Sequence, residues 1–195
     1  MKPTAAEIRK QVRQHLYQLH ANERHSRTTA AIENFFNTAE YRRCKRLAAF
    51  YPVNHELDLM PLIEQCWHDK KAVYLPQLLS KPFQKMVFLP YQQDTPLKLN
   101  RYQIPEPALS TRHQVPLWQL DIVITPLLAF GPQGERLGMG GGFYDRTFAF
   151  MNRSNYLKPR LWAIALEAQR YDVDANPWDV PVHGVATEKT TYRYV

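Results

Sequence analysis

Apolar residues recur at Ile8, Val12, Leu16 and Leu19, the spacing of one helix face, while Arg9, Lys10 and Arg13 fall elsewhere on the same cylinder. Thr4-Ala5-Ala6-Glu7 has the form of a capping box, so a helix is predicted over residues 5–20. A second helix is predicted over 24–37, with Ile32, Phe35 and Phe36 facing inward, and a third over Leu59–Asp69, with Leu62, Ile63 and Cys66 on one side. Between and after them lie short continuous apolar runs: Arg46–Pro52, Ala72–Pro76, Met86–Tyr91, Asp121–Thr125, Leu161–Leu166 and the brief Val185–Thr187. Runs of this kind, separated by helices, read as strands buried on both faces of a mainly parallel sheet. Residues 92–118 carry Pro96, Pro105, Pro107 and Pro116 without a clear period and are expected to be mostly irregular. The predicted fold is α/β: a three-layer α/β/α arrangement in a single domain covering residues 1–195.

Composition narrows the class. Of 195 residues, 45% are hydrophobic and 22% charged, values of an ordinary globular chain that exclude a disordered or collagen-like one. The longest uncharged stretch, Ile122–Gly134, is interrupted by Pro126, Gly131 and Pro132 and is too short to cross a bilayer. The start, MKPTAAEIRKQVRQ, has no apolar core of a secretory signal, so a cytoplasmic location without membrane contact is expected. Cys44 and Cys66 form no metal-spaced pair and are expected to be reduced thiols. The net charge of +7 is uneven: the first fifty residues hold ten Lys/Arg against four acids. Such a basic region suits nucleic acid or a small polyanion, and equally a solvated helix face. One reading of the whole chain is therefore a basic RNA-binding module without catalysis; no RNA-reading motif supports it.

The chain has seven glycines, and six lie between Gly131 and Gly142, in FGPQGERLGMGGGFYDR. This segment follows the clearest strand and runs into FYDRTFAF, which can start a helix. A strand, a glycine loop and a helix N-terminus can cradle a phosphate through bare backbone N–H groups and the helix dipole. It is not the Walker A loop, because no Lys-Ser/Thr follows the glycines, nor the dinucleotide fingerprint, because Phe143 stands where a third Gly or Ala is required.

The string DIVITPLLAFGPQGERLGMGGGFYDRTFAF resembles the signature of the 5-formyltetrahydrofolate cyclo-ligases, also called 5,10-methenyltetrahydrofolate synthetases. Glu56-Leu57-Asp58, Val73-Tyr74-Leu75-Pro76, Ile104-Pro105-Glu106-Pro107 and Ala186-Thr187-Glu188 agree in order along the chain. The resemblance implies an ATP- and Mg²⁺-dependent ligase that closes 5-formyltetrahydrofolate to 5,10-methenyltetrahydrofolate through phosphorylation of the formyl oxygen, releasing ADP and phosphate. It implies small-molecule substrates, no nucleic acid partner and a monomer.

Carried onto this sequence, the resemblance gives Arg136 and Asp145 catalytic roles, Asp145 with Asp179 (in Trp178-Asp179) as magnesium ligands. Arg9, Gly134, Arg136, Leu137, Gly138, Met139, Gly140, Gly141, Gly142, Phe143 and Tyr144 would contact ATP. Tyr51, Glu56, Met139, Gly140, Gly141, Gly142 and Phe143 would contact the folate. Each has a plainer alternative: Arg136 paired with Glu135, Asp145 as a helix-start acid, Glu56 as a loop acid, Arg9 as an exposed helix residue, and Tyr51, Phe143 and Tyr144 as core aromatics. His183 is expected to be hydrogen-bonded rather than a ligand. The family's Lys, four residues before the Arg, is replaced by Ala5, which leaves Lys2 or Lys10 as substitutes.

Overall fold

The computed structural model describes residues 2–53, 56–79, 84–153 and 158–194. Helices α1 (Ala5–Gln18), α2 (Ala21–Phe36) and α3 (Ala39–Arg43) precede strand β1 (Arg46–Ala48). Helix α4 (Met60–His68) leads to β2 (Ala72–Leu78) and β3 (Met86–Pro90), then to a small hairpin, β4 (Leu97–Leu99) and β5 (Pro105–Pro107). Strand β6 (Ile122–Ile124) is followed by a second hairpin, β7 (Ala129–Phe130) and β8 (Arg136–Leu137), the glycine segment, and α5 (Phe143–Phe148). Strands β9 (Arg160–Ile164), β10 (Gly184–Ala186) and β11 (Thr191–Arg193) complete the chain.

The start of α1 is the predicted capping box: Thr4 Oγ1 accepts from the Glu7 N–H at 3.3 Å, and the Thr4 N–H donates to Glu7 Oε2 at 2.7 Å. Helix α2 begins at Ala21, earlier than predicted, because its cap residue His20 makes no side-chain bond that a sequence could reveal. The seven-stranded sheet runs β11-β10-β9-β6-β1-β2-β3, with parallel pairing from β10 to β2 and antiparallel strands at both edges. Parallel strands cannot be joined by tight turns, so the connections are long and pass over the faces.

Alternate residues divide between two cores, as the pleat requires. Leu47, Ile122, Ile124, Trp162 and Ile164 join Ile8, Val12, Ile32, Phe35, Leu62 and Ile63 of the helices. Ala48, Val123, Leu161, Ala163 and Val185 face the other way, onto Phe88, Phe130 and Phe148. The predicted three layers are present, but the second is thin: α5 has six residues and is continued only by a 3-10 turn over Ala149–Arg153. Residues 92–118 are not wholly irregular, since they hold the β4–β5 hairpin.

Gly184, the one glycine outside the cluster, sits where a Cβ would come within 2.7 Å of the Trp162 ring. Trp162 is among the largest fully buried side chains, so the ring cannot yield. Gly184→Ala should therefore lower stability by about 1–3 kcal/mol through overpacking, measured by urea titration; an unchanged midpoint would show that β10 can shift.

Candidate active site

The strand order reverses between β1 and β6. The chain moves outward from β1 to β2 on one side, then returns to lay β6 on the other. In open α/β sheets such a point leaves a crevice at the carboxyl ends of the strands. Here it is a cleft of about 1400 Å³, with Phe50 and Tyr51 after β1 and Pro126–Leu128 after β6 among its lining residues. A drug-sized ligand usually occupies roughly 300–1,000 Å³, so there is room for two ligands together.

One wall is the glycine segment. Helix α1 brings Arg9 against it, and Arg9 Nε donates to the Gly138 carbonyl at 2.9 Å; one turn ahead, Ala5 lines the same cleft. Arg13 Nη2 lies 3.6 Å from Met139 Sδ. Hairpin β7–β8 holds Arg136 with its side chain 5% exposed, and Arg136 Nη2 donates to Asp145 Oδ1 at 2.5 Å. Glu135 instead turns back to accept from the Gln133 N–H at 2.8 Å. Arg136 Nε is buried with no hydrogen-bond partner among the described residues. Gly142 caps α5 in a left-handed conformation, φ +63°, where a side chain would be strained. Because α5 is one and a half turns long, its dipole adds less than the sequence suggested, and the backbone N–H groups and guanidinium ions carry the attraction for an anion.

The Asp145 carboxylate also accepts from the Val180 N–H at 3.3 Å, which sets the Asp179–Val180 peptide against it. Asp179 Oδ2 accepts from the Asn176 backbone N–H at 2.9 Å, closing a turn. Among the described residues, no group of three or more His, Cys, Asp or Glu side chains gathers to hold a metal. Two carboxylates, each with one oxygen lacking a protein partner among the described residues, fit a hard Mg²⁺ ion that keeps waters and phosphate oxygens as its other ligands.

Glu56 and Tyr51 also line the cleft. Glu56 Oε2 accepts from the Val53 N–H at 3.0 Å, and burial pushes its carboxyl above the usual range. Tyr144 from α5 has a buried hydroxyl with no hydrogen-bond partner; burial, then the Glu56 charge, raise its pKa, while the nearby Arg136 opposes them. Tyr51 also packs on the first core and Phe143 and Tyr144 on the second, so these rings serve core and cleft alike.

Leu137, Gly138, Met139, Gly140, Gly141 and Gly142 all line the cleft, but Gly134 does not. Gly134 is a turn residue of the β7–β8 hairpin: its φ is +90°, its carbonyl accepts from the Val182 N–H at 2.9 Å, and a Cβ there would meet the Val182 carbonyl oxygen at 2.5 Å. Lys2 Nζ is 2.9 Å from Asp172 and also pairs with Asp174, and Lys10 is exposed and outside the cleft lining. His183 Nδ1 accepts from the Leu161 N–H at 3.0 Å, and burial, then the Arg160 charge, push its pKa down to about 4. Sequence reasoning gave no role to Arg146, although it ends the quoted FYDR string, nor to Tyr102, which lies in the proline-rich stretch.

The sequence model of the 5-formyltetrahydrofolate cyclo-ligase family matches residues 1–188. The chain belongs to this family. The cyclo-ligase of Haemophilus influenzae is 36% identical over 182 residues, 92% of this chain and 95% of its own. That of Escherichia coli is 41% identical over 149 residues, 76% of this chain and 80% of its own. The NMR structure of Aquifex aeolicus 5,10-methenyltetrahydrofolate synthetase superposes with a TM-score of 0.81 at 26% identity, covering 97% of this chain and 92% of that one. This cyclo-ligase family member is thus an enzyme, and its α/β fold is that of the family. Among its described residues no helix is long and apolar enough to cross a membrane.

Proposed function

We propose that the protein cyclises 5-formyltetrahydrofolate to 5,10-methenyltetrahydrofolate with ATP as co-substrate. The observation that carries this reading is a cleft large enough for two ligands whose lining combines glycine N–H groups and guanidinium ions with the half-buried carboxylate of Glu56. The N–H groups and guanidinium ions suit a triphosphate. Arg136 offers a planar fork of donors, and the N–H groups of Met139–Gly142, which have no backbone acceptor among the described residues, line the same cleft. Glu56 suits a pterin, since its carboxylate can accept from a ring N–H and the neighbouring amino group. Tyr51 and Phe143 supply apolar surface for the rings between.

In this reading the formyl oxygen attacks the γ-phosphorus of ATP and ADP leaves; N10 of the folate then attacks the activated carbon and gives up its proton as phosphate departs. The chain's own residues hold the two substrates in line and keep the charge of the transferred group against Arg136, and positioning of this kind is most of phosphoryl-transfer catalysis. Asp145 and Asp179 would hold Mg²⁺, which neutralises phosphate charge when bound. Arg9 and Arg13 turn toward the glycine segment, so part of the N-terminal positive charge serves this cleft rather than an open face for RNA. Both cysteines are free and buried, and burial pushes each thiol up to about 12, a pair of inert thiols consistent with a reducing cytoplasm. A monomer holds every residue of the proposed site.

The deciding experiment combines purified protein with ATP, Mg²⁺ and 5-formyltetrahydrofolate and follows the absorbance of the methenyl product. Product should form only with both substrates and stop on chelation of the metal. Absence of product at high enzyme concentration would overturn the reading.

A further inference from the structure

Arg146 follows Asp145 on α5 and makes three contacts on two separate pieces of chain. Its Nε donates to the Gln84 carbonyl at 3.0 Å, its Nη2 donates to the Gly141 carbonyl at 2.5 Å, and its guanidinium carbon lies 5.3 Å over the Phe143 ring. A Cβ added to Gly142 would fall 2.6 Å from Arg146 Nη1, so the guanidinium packs against a surface only glycine provides.

The consequence for the loop follows from the trans peptide, whose C=O and N–H point in opposite directions. With the Gly141 carbonyl turned onto Arg146, the Gly142 N–H must point away from it. At the other end of the loop Arg9 holds the Gly138 carbonyl, which sends the Met139 N–H away in the same manner. Neither N–H has a protein acceptor among the described residues. Glycine peptides lack side chains that would fix their planes. The two guanidinium groups therefore set the orientation of the N–H groups that line the cleft.

We propose that Arg146 is a positioning residue for nucleotide binding: it fixes the Gly141–Gly142 peptide so that its N–H is aimed at the triphosphate, and it acts through the backbone rather than on the phosphate. This rests on the proposed use of the cleft for ATP. Removing Arg146 frees the peptide to turn and loses one donor to a charged oxygen, expected to weaken ATP binding about 10- to 100-fold.

The test measures KM for ATP and for 5-formyltetrahydrofolate, kcat, and the Kd of the non-hydrolysable β,γ-imido analogue of ATP by titration calorimetry, in Arg146→Ala, Arg146→Lys and Gly142→Ala. Arg146→Ala should raise KM for ATP and the analogue's Kd by the stated factor, with a smaller rise in KM for the folate, because Gly141, Gly142 and Phe143 are assigned to that substrate as well. Arg146→Lys should recover little, because one ammonium cannot reach both the Gln84 and Gly141 carbonyls. Gly142→Ala displaces the same guanidinium, so it should weaken analogue binding in the wild-type background and have little further effect combined with Arg146→Ala. Additive effects would mean that Gly142 and Arg146 act independently on the nucleotide and would overturn the proposal. So would recovery by Lys, a rise in folate KM larger than that for ATP, or unchanged nucleotide binding. If Arg146→Ala shows no cooperative melting, Arg146→Lys and Gly142→Ala decide the matter by the same measurements. Wild-type protein that binds the analogue but makes no methenyl product would overturn the proposed reaction and leave the calorimetric test of Arg146 intact.

Discussion

Asp145→Ala is expected to lose turnover by at least about 10²-fold and to melt well below the wild-type temperature. The two losses have different origins. The Arg136 side chain is 5% exposed, and its ion-pair partner is Asp145, which is 18% exposed. Removing one member of a buried pair leaves the other charge uncompensated, which costs about 3–5 kcal/mol, with the lower end apt here because Asp145 borders an open cleft. For a chain of this size that is a fall of roughly 6–12 °C in Tm. Replacing both members by apolar residues of similar volume, Arg136→Met with Asp145→Leu, should restore most of the melting temperature and none of the activity. Differential scanning calorimetry beside the methenyl assay separates these outcomes. A double variant that turned over substrate would show the pair to be structural only, and Asp145→Ala with normal Mg²⁺-dependent turnover would remove both of its assigned roles.

Glu56→Gln should show the opposite pattern, a more stable protein that binds folate poorly. Burial holds the Glu56 carboxyl above its ordinary value, so the folded chain binds a proton more readily than the unfolded one. Between the unfolded and the raised folded pKa, stability therefore falls as pH rises, because the charge must form in a dry place. The Gln variant has no such charge; its stability advantage should be present at pH 7 and vanish below about pH 4, where the wild-type carboxyl is protonated in both states. Loss of a charged acceptor for the pterin N–H groups should raise KM for 5-formyltetrahydrofolate by roughly 10- to 100-fold, with KM for ATP nearly unchanged. Equal folate KM values in the two proteins would place the pterin elsewhere.

The sequence made the sheet strands legible because each inner strand is buried on both faces and appears as a short apolar run, Ile122–Ile124 most plainly. It did not reveal β7 and β8, two residues each, since so short a pairing has no period to detect. Nor did it reveal β4, whose three residues are exposed, or β5, which begins and ends with proline. The glycine segment was legible as a site because the rest of the chain is so poor in glycine. What could not be read was which glycine does what: Gly134 and Gly142 both take positive φ, yet one closes a hairpin against Val182 and the other opens α5 in the cleft. The partner of Arg136 was likewise out of reach, because Glu135 is adjacent in sequence while Asp145 is brought close only by the return of the chain through the loop.

The reversal of strand order at β1 and β6 has a consequence for how the enzyme can vary. The cleft residues Tyr51 and Glu56 hang from the link between β1 and α4, whereas Arg136 and Asp145 belong to the link between β6 and β9. Each link is anchored to its own strands, and the two meet where the Glu56 charge reaches the buried Tyr144 of α5. Under the proposed roles, substitutions in the first link bear on which one-carbon carrier is accepted, whereas those in the second bear on both ligands, because Met139–Phe143 are assigned to both.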